Sequence, residues 1–589
     1  MTALTGAVAK KDSLPVVAGR LLDWLIVPFL IFVCLYNPGH TDGLLLHLEA
    51  GYYLGAINEL IFHKVPFRDF FVLYGPLSVL VPAWLMKFLQ PTLEVLRTHF
   101  HIGSIFTIII AYFVARTVLQ TRAFSYLAAV VLVKEAFHPF MSSRWGGIRM
   151  GIGLLVLFIL FRSMRFKKNT GSLALAGFFC GLAVLYSTEI GLAALLASAA
   201  FIVSANQGGG ASARTSSLHF LYFVGGCVLA IMPFFVYLAW EGALGTYIRT
   251  AFWEIPVNYV HAFGQGHVPR PYPESIEMEV VYDWIFGLGL KTWLPLIVYG
   301  SCMTYVAFSR ELSTSRDLKV YLITLCGFGF PLYLAAFRAV TQPQFGSAVI
   351  PAIIIGMLFL ESIWFRLRAA WTERNRALGK SWNPTGFMLY AGILAAALCY
   401  VACSVAVSGP KQGSLFCLLA PGREEAPGMQ ELDLSRAGRV RLPRWQATEI
   451  RALIGDVVRR TSPDEPIFVF PDMASYYFLA ERKSVGRFTV SALAALKPEY
   501  RKELRLRLEA SPPRYIIYDE GTSSLAEAVR KKDKDMLPEI YEFIWSNYRV
   551  VQRYGSTLLL RLDRPSNQAG SSGEPGNRAI FTNPIAPTS

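Results

Sequence analysis

The sequence predicts a polytopic α-helical membrane protein that ends in a small α/β domain. Of its 589 residues 53% are hydrophobic and only 16% are charged, whereas soluble domains have about 25% charged residues. Apolar runs of roughly 20 residues, each long enough to cross a bilayer, recur as far as residue 408. After residue 408 short strand-like and helical segments alternate instead. This composition excludes a disordered or collagen-like chain.

The distribution of positive charge predicts which loops are cytoplasmic. The chain has 56 Lys and Arg against 41 Asp and Glu, a net charge of +15. The basic residues concentrate in short segments between apolar runs, as they do in the cytoplasmic loops of membrane proteins. This pattern argues against nucleic-acid binding. It assigns the cytoplasmic side to the N-terminus and to three loops, at 162–168, 310–319 and 366–380.

The apolar runs divide residues 1–408 into predicted spans. The first span, near 21–37, leads into an outer loop at 38–70, and a second large outer loop is expected at 241–283. Because three runs lie between two points on the outer side, 71 and 148, one run must be re-entrant or a further crossing must be hidden. We therefore predict about 11 to 13 transmembrane helices. The other runs lie near 71–89, 100–118, 123–140, 148–162, 171–187, 191–205, 218–240, 284–308, 318–338, 345–365 and 386–408.

The residues after 408 predict an outer domain. A linker rich in Gly, Pro and charged residues, 409–443, precedes an α/β domain at 444–565, and the Ser/Gly/Pro-rich end, 566–589, is expected to be disordered. Two strand-like segments, 467–471 and 514–520, alternate with helical segments before a C-terminal hairpin. The domain has no Gly-rich phosphate loop and no His, so we expect it to assist binding without chemistry of its own.

Two acids in the first outer loop are candidates for catalysis. If 42–62 is helical, Asp42 and Glu49 are seven residues apart and share one face, with His47 off that face. Two carboxylates just above the bilayer could deprotonate an acceptor hydroxyl or hold a divalent cation. The alternative is that Asp42 caps the helix and Glu49 is a solvated acid at the interface.

The same loop resembles that of the GT-C glycosyltransferase superfamily, which includes protein O-mannosyltransferases, lipid A aminoarabinose transferases and RgtA/B/C/D-like transferases. An acidic residue, Glu49, is followed by Tyr52 and Tyr53, and then by Pro-Phe-Arg-Asp at 66–69 and Gly-Pro-Leu at 75–77. A cytoplasmic start, an odd span count and an outer α/β domain after the last span also fit this superfamily.

The resemblance implies a glycosyltransferase with an inverting mechanism in a bacterial-type inner membrane. By analogy Glu49 takes the place of the family's acidic base or metal-associated residue, and Asp69 that of its second acid. The donor would be a polyprenyl-phosphate-linked sugar, and the acceptor a glycolipid, polysaccharide or protein of the cell envelope. A divalent cation, Mg²⁺ or Mn²⁺, would be held by Asp42 and Glu49 if the reaction uses one.

Two departures from the family pattern leave alternatives open. Leu48 stands where the family has a paired Asp, and Gly75 replaces the first Pro. A non-catalytic relative that binds a partner is therefore one alternative. A transporter or flippase of a lipid-linked saccharide is another, although such a protein would place charges at mid-bilayer and show inverted repeats.

A departing phosphate needs positive charge to stabilise it. Three arginines on the predicted outer side are candidates for this role: Arg144, Arg149 and Arg338. The alternative for each is that it anchors a helix end at the lipid headgroups.

The remaining candidates would contact the sugar or the acceptor. They are Tyr53 and His47 beside Glu49, Glu189 between two apolar runs, and Trp253 and His261 in an aromatic loop. An acid such as Glu189 is costly when it faces lipid, so we expect it to point into the bundle and to pair with one of the arginines. The aromatic loop is either a lid over the acceptor or an aromatic belt at the interface.

Overall fold

The computed structural model describes most of the chain. The described residues are 14–45, 47–136, 147–165, 170–207, 213–263, 270–286, 288–308, 316–336, 348–376, 428–521 and 531–563, with the single residues 395, 523 and 526. Four expectations fall outside this set, namely Arg144, Arg338, the apolar run at 386–408 and the tail at 566–589. The count of transmembrane helices therefore stays a prediction.

Apolar helices form a bundle that makes the chain a multi-pass membrane protein. Within the described residues six helical segments are long and apolar enough to cross a membrane, and three shorter ones are 10–17 residues long. The helices are α1 (Leu14–Leu21), α2 (Val27–Leu35), α3 (His47–Ile61), α4 (Leu77–Phe88), α5 (Leu93–Val118), α6 (Arg122–Val131), α7 (Arg149–Arg165), α8 (Thr170–Tyr186), α9 (Thr188–Gln207), α10 (Ala213–Trp240), α11 (Leu244–Arg249), α12 (Ile255–Phe263), α13 (Met278–Phe286), α14 (Leu288–Phe308), α15 (Arg316–Ala336) and α16 (Ile350–Arg376).

Small residues bring neighbouring helices of the bundle together. A Cβ atom added at Gly177 of α8 would lie 1.9 Å from the carbonyl oxygen of Phe223 in α10, and one at Gly181 would lie 2.6 Å from that of Cys227. Larger residues at these two positions would push the helices apart. Because lipid gives no hydrophobic driving force between helices, such close backbone packing is a principal source of their association.

The C-terminal domain is an α/β unit. Its helices are α17 (Arg444–Arg460), α18 (Ser475–Ala480), α19 (Pro498–Ala510), α20 (Asp533–Met536) and α21 (Pro538–Asn547), and its strands are β1 (Met429–Glu431), β2 (Arg441–Pro443), β3 (Phe468–Phe470), β4 (Tyr515–Asp519), β5 (Tyr548–Tyr554) and β6 (Thr557–Leu562). The main sheet has the order β3-β4-β6-β5. Strands β3 and β4 are parallel, and β4–β6 and β6–β5 are antiparallel. Its buried strands explain why the sequence there alternates so little.

The first loop and the α/β domain share one hydrophobic core. Leu45, Tyr53 and Phe67 of the loop region belong to the same buried cluster as the strands of the domain. The domain also caps the first turn of α5, because the amides of Leu93 and Glu94 donate to backbone carbonyls of the domain at 2.8 and 3.2 Å. These amides would otherwise lack partners at a helix start. The end of the bundle that contacts the domain is called the domain end below.

Several predicted boundaries differ from the observed ones. The helix expected over 42–62 begins only at His47. The run at 71–89 becomes helical only at Leu77, directly after Pro76, whose missing N–H and fixed φ favour a helix start. The large loop at 241–283 contains three helices, and the segment 428–443, expected as a linker, includes the paired strands β1 and β2.

Candidate active site

Helix α3 lies against the backbone of the α/β domain. A Cβ atom at Gly51 would lie 2.8 Å from the amide nitrogen of Ser475, and one at Gly55 would lie 3.0 Å from the Cβ atoms of Ala474 and Thr489. The two glycines are four residues apart and therefore share one face of the helix. That face lets the start of α18 approach α3 more closely than any side chain would allow.

Buried polar groups connect the second half of α3 to the same domain. The Arg436 guanidinium donates to Oδ1 of Asn58 at 2.9 Å, and the Ser484 amide donates to Oε1 of Glu59 at 3.1 Å. Lys64 forms an ion pair with Glu59. Asn58 and Glu59 have no exposed surface, so their partners compensate for a large desolvation cost. The helix that begins with His47 and contains Glu49 is thus held between the bundle and the domain.

Asp42 does not share a helix face with Glu49. It lies in a turn before α3, where Arg441 of β2 binds both of its carboxylate oxygens, with Nη2–Oδ2 at 2.7 Å and Nε–Oδ1 at 3.3 Å. The buried Arg97 donates to the carbonyl oxygens of this turn, including that of Leu44 at 3.0 Å. These two arginines hold the segment in a non-helical conformation, and this is the physical reason why the helix starts late.

The carboxylate of Asp69 is also engaged by an arginine. Arg68 donates to Oδ1 and Oδ2 at 3.0 Å each, and the Val65 amide donates to Oδ2 at 2.8 Å. The hydrogen bond from Arg68 lowers the pKa of Asp69. Arg68 also pairs with Glu241 at 2.9 Å, which ties this loop to the end of α10. Asp69 therefore positions Arg68, and Arg68 joins the two loops at the domain end.

Tyr53 is part of the packing around the site. Its ring has no exposed surface and lies edge-on to Phe100 at 4.7 Å between centroids. It is also stacked on Tyr74 at 6.1 Å. The neighbouring Tyr52 hydroxyl accepts hydrogen bonds from the amides of Leu73 and Tyr74. Tyr53, expected to contact a sugar, is instead enclosed by other aromatic side chains, so its ring presents no face to a ligand.

Arg149 and Glu189 form an ion pair, as the cost of a lipid-facing acid predicts. Nη2 of Arg149 lies 3.2 Å from Oε2 of Glu189, and the arginine side chain is only 5% exposed. The guanidinium carbon lies 4.3 Å from the centroid of the Tyr74 ring, a cation–π distance. The pair therefore lies beside the aromatic cluster that surrounds Tyr53, next to α3.

Glycines explain how Arg149 reaches this position. Gly147 has a φ of +53°, which favours glycine, and a Cβ atom there would lie 2.5 Å from the carbonyl oxygen of Phe100. On the facing helix, a Cβ atom at Gly103 would lie 2.6 Å from the amide nitrogen of Ile148. The turn before α7 thus lies directly on α5, and this contact places Arg149 at the domain end.

Gly75 has a structural reason for departing from the superfamily pattern. A Cβ atom at this position would lie 2.2 Å from the carbonyl oxygen of Leu185. The segment that includes Tyr74 therefore packs on the end of α8, three residues before the helix that begins at Thr188. Proline would not fit at this contact, and the absence of a side chain brings Tyr74 to Arg149.

A cavity of about 730 Å³ opens between α4 and α5. Its lining is largely apolar and includes Leu85 and Ile102 on the two helices, with Ile148 and Tyr186 at one wall. Its polar lining residues are Gln90, Thr92, Glu94, Thr98 and His99. Because Ile148 precedes Arg149 in the chain, the cavity reaches the neighbourhood of the buried ion pair.

The other candidate residues are described in part. The side chains of His47, Glu49 and His261 lie outside the described part of the structure, although their backbones belong to α3 and α12. Trp253 is 69% exposed and lies in the π-helical turn Thr250–Glu254 between α11 and α12. The residues that sequence reasoning missed are Arg441 and Arg436, because no local pattern links them to the first loop.

Asp42, a candidate ligand for a divalent cation, is engaged by an arginine in this structure. Among the residues that the structure describes, no group of three or more His, Cys, Asp or Glu side chains is arranged to hold a metal. Asp42, one of the two candidate ligands, is bound through both oxygens by Arg441. A guanidinium in that position opposes the binding of a divalent cation by Asp42.

Comparisons with known proteins identify the fold. No protein-family model matches the sequence, and no curated protein is significantly similar to it. Among solved structures, ArnT from Cupriavidus metallidurans in the apo state has a TM-score of 0.50 and 12% identity, with coverage of 93% of this chain and 98% of that one. The archaeal oligosaccharyltransferase AglB from Archaeoglobus fulgidus, in complex with an inhibitory peptide and a dolichol-phosphate, has a TM-score of 0.51 and 13% identity, with coverage of 94% and 76%. This chain therefore has the fold of the GT-C glycosyltransferases.

Proposed function

We propose that this chain, which has the GT-C fold, transfers a sugar from a polyprenyl-phosphate-linked donor to an acceptor in the cell envelope. The carrying observation is the position of α3, which contains Glu49 in its first turn and is held between the bundle and the α/β domain. The fold match extends over 94% of the chain to a transferase seen with a dolichol-phosphate and a peptide. That likeness supports a lipid-linked donor without identifying the sugar.

Glu49 is assigned as the base that deprotonates the acceptor hydroxyl. The other two candidate acids have both carboxylate oxygens bound by Arg441 or Arg68, so neither carboxylate has an oxygen free of an arginine to meet the acceptor hydroxyl. Proton transfer to Glu49 leaves the acceptor oxygen free to attack the anomeric carbon of the sugar. The bond from that carbon to the phosphate breaks, and the lipid phosphate leaves with the electron pair and with inversion at the sugar.

Arginines are assigned to the departing phosphate. Arg149 is the described member of the proposed set, and Arg144 and Arg338 are its other members. The Arg149 guanidinium is held beside the aromatic cluster by Glu189 and Tyr74. A phosphate that approaches would share this cation with Glu189, so the ion pair keeps Arg149 in place before substrate binds.

The cavity between α4 and α5 is assigned to the lipid chain of the donor. Its apolar lining and its volume of about 730 Å³ suit an extended hydrocarbon chain, which gains free energy when it leaves water or a disordered bilayer for a preformed groove. Leu89 and Phe106 at its rim are 65% and 46% exposed, so the groove is open at the side of the bundle. A chain in the groove would end near Ile148, next to Arg149.

The acceptor is assigned to the side of α3 at Glu49, where its hydroxyl must lie for proton transfer. His47 and His261 are the candidate contacts there. We place the domain end outside a bacterial-type inner membrane, with the N-terminus in the cytoplasm, because the basic Arg162 and Arg165 lie at the end of α7 opposite to Arg149.

A reconstituted transfer assay tests the proposal. Purified protein in liposomes is given a panel of radiolabelled polyprenyl-phosphate sugars and envelope acceptors, and wild type is compared with Glu49→Gln and Asp42→Asn. We expect transfer by wild type and by Asp42→Asn and its loss in Glu49→Gln. Full activity of Glu49→Gln would overturn the assignment of the base. Movement of the lipid-linked sugar between leaflets, with no transfer from any donor, would favour a transporter.

A further inference from the structure

Residues 244–263 form one continuous helical stretch whose exposed side is apolar. It consists of α11, the π-helical turn Thr250–Glu254 and α12. Ile248, Trp253 and Val257 on its outer side are 45%, 69% and 46% exposed. Val257 lies one α-helical turn after Trp253, and the π-helical turn Thr250–Glu254, with its i→i+5 pattern, brings Ile248 onto the same side five residues earlier. These residues are called the apolar stripe below.

The inner side of the same stretch carries the polar groups. Tyr247, Thr250 and Glu254 are buried. Glu254 accepts hydrogen bonds from Lys497 and Tyr500 of the α/β domain. This is the reverse of a helix that faces water, whose polar side is outside and whose apolar side is buried.

Burial raises the pKa of Glu254, but the hydrogen bonds from Lys497 and Tyr500 outweigh burial and leave that pKa below its usual value. The Glu254 carboxylate is therefore ionised at neutral pH, and it also contacts Nε of Arg249 at 2.9 Å. An ionised acid held by three partners fixes the rotation of the helix about its axis. The apolar stripe is consequently kept on the outer side.

The helical stretch 244–263 begins close to the end of a candidate membrane span. The span Arg214–Trp240 ends four residues before Leu244. The Tyr247 ring lies 5.8 Å from the rings of both Phe234 and Phe235, which belong to that span. The stretch therefore folds back onto the last turns of α10, at the boundary of the membrane, and does not extend away from it.

We propose that the apolar stripe of residues 244–263 inserts into the phospholipid leaflet at the domain end, at the boundary between headgroups and acyl chains. Tryptophan is favoured at that boundary, because its ring is apolar and its N–H is polar. The Arg249 side chain is 73% exposed beside the stripe and would meet lipid phosphates. A solvent-exposed stripe of these residues would instead be an aggregation hazard.

Insertion of this helix would also fix the position of the α/β domain relative to the membrane. Because Glu254 of the inserted helix is bound by Lys497 and Tyr500, the α/β domain is fixed at a set height above the bilayer. Trp253 accordingly serves lipid contact and not acceptor binding. The proposal does not depend on sugar transfer, so its failure and the failure of the proposed function are separate outcomes.

Fluorescence quenching in liposomes tests the insertion. Single cysteines are introduced as Ile248→Cys and Val257→Cys, which leave Trp253 in place, and are labelled with NBD. Wild-type protein labelled in parallel gives the background from native cysteines. Leu506→Cys is the matched control, because Leu506 is 54% exposed in α19 of the domain and lies between two charged arginines.

We expect labels at 248 and 257 to be quenched by lipids with a nitroxide on the upper acyl chain and to be protected from aqueous iodide. The label at 506 should be quenched by aqueous iodide and not by the nitroxide lipids. Quenching of the labels at 248 and 257 by iodide alone would overturn the proposal and would leave the stripe as a surface for a soluble partner. Protection from both quenchers would also overturn it, because protein would then cover the stripe.

Discussion

Arg441 of strand β2 binds both carboxylate oxygens of Asp42, although the two residues are 399 positions apart in the chain. This ion pair connects the first loop of the bundle to the C-terminal domain. It also distinguishes the roles of Asp42 and Glu49, which the sequence presents as equal candidates for catalysis. Asp42 orders the turn before α3, and Glu49 remains as the candidate base on the helix itself.

The first prediction contrasts these two acids. Asp42→Asn is expected to retain transfer activity within a few-fold, because its carboxylate is already neutralised by Arg441. Glu49→Gln is expected to lose about 10²-fold or more, the usual range for removal of a general base. Initial rates of sugar transfer in liposomes measure both variants. Equal losses in both would contradict the division of roles and would return Asp42 to the site.

The second prediction concerns the buried ion pair of Arg149 and Glu189. Arg149→Met removes the guanidinium that pairs with Glu189, so the free energy of unfolding should fall by about 1–3 kcal/mol, less than for a fully buried pair because the Glu189 side chain is 30% exposed. Arg149→Met combined with Glu189→Leu should recover most of that stability, since no charge remains. Thermal unfolding in detergent measures the stabilities.

Transfer activity distinguishes a structural pair from a phosphate-binding one. If Arg149 stabilises the departing phosphate, the double variant is stable but stays inactive. Recovery of both stability and activity in the double variant would show that the arginine serves packing alone. Arg149→Lys, which keeps the charge but loses the planar guanidinium, should fall between the two.

The third prediction concerns the glycine face of α3. Gly51→Ala places a methyl group 2.8 Å from the amide nitrogen of Ser475, a backbone atom that cannot rotate away. We expect destabilisation of about 1–3 kcal/mol from this overpacking and faster proteolysis of the α/β domain. Gly300→Ala in α14 is the matched control, because nothing lies within 4 Å of a Cβ atom there. An unchanged proteolysis rate for Gly51→Ala would mean that the domain does not dock on α3.

Sequence reasoning predicted the membrane bundle, the α/β domain and the pairing of Glu189 with an arginine, each from a local physical rule. Hydropathy marks spans, and the cost of a lipid-facing acid implies a partner. Sequence reasoning did not predict the pairing of Asp42 with Arg441 or of Asn58 with Arg436. Those contacts join distant parts of the chain, and the surrounding residues carry no periodic pattern that would bring them together.

Gly51, Gly55 and Gly75 mark close contacts that the sequence prediction did not include. Two glycines four residues apart on an amphipathic helix indicate that another backbone comes close to that face. Gly75 looked like a weakened family motif, whereas it fits against the end of α8. A glycine that departs from a proline pattern can therefore mark a contact and not a loss of function.

The fourth prediction concerns the pH dependence of the contact at Glu254. The folded-state pKa of Glu254 is lowered from its ordinary value of 4.5, so this contact stabilises the protein fully above pH 4.5 and loses its effect as the pH falls through the lowered pKa. Glu254→Gln should reduce stability at neutral pH by about 1–3 kcal/mol and should flatten the decline in acid. Melting temperatures from pH 7 to pH 3 measure both effects. A parallel decline in the variant and in wild type would assign the acid sensitivity to other carboxylates.

The fifth prediction tests the groove between α4 and α5. Ile102→Trp would fill part of a cavity of about 730 Å³ that Ile102 lines. A long lipid chain would then bind there more weakly. We expect KM for a long-chain polyprenyl-phosphate sugar to rise about tenfold or more, a loss of about 1.4 kcal/mol in binding. KM for a short-chain, water-soluble analogue should change little, because its chain does not reach Ile102. Leu229→Trp on α10, where Leu229 is 67% exposed, controls for the added ring. An equal rise in KM for both donors would indicate that Ile102→Trp distorts the site at Arg149, through Ile148, and that the lipid chain binds elsewhere on the bundle.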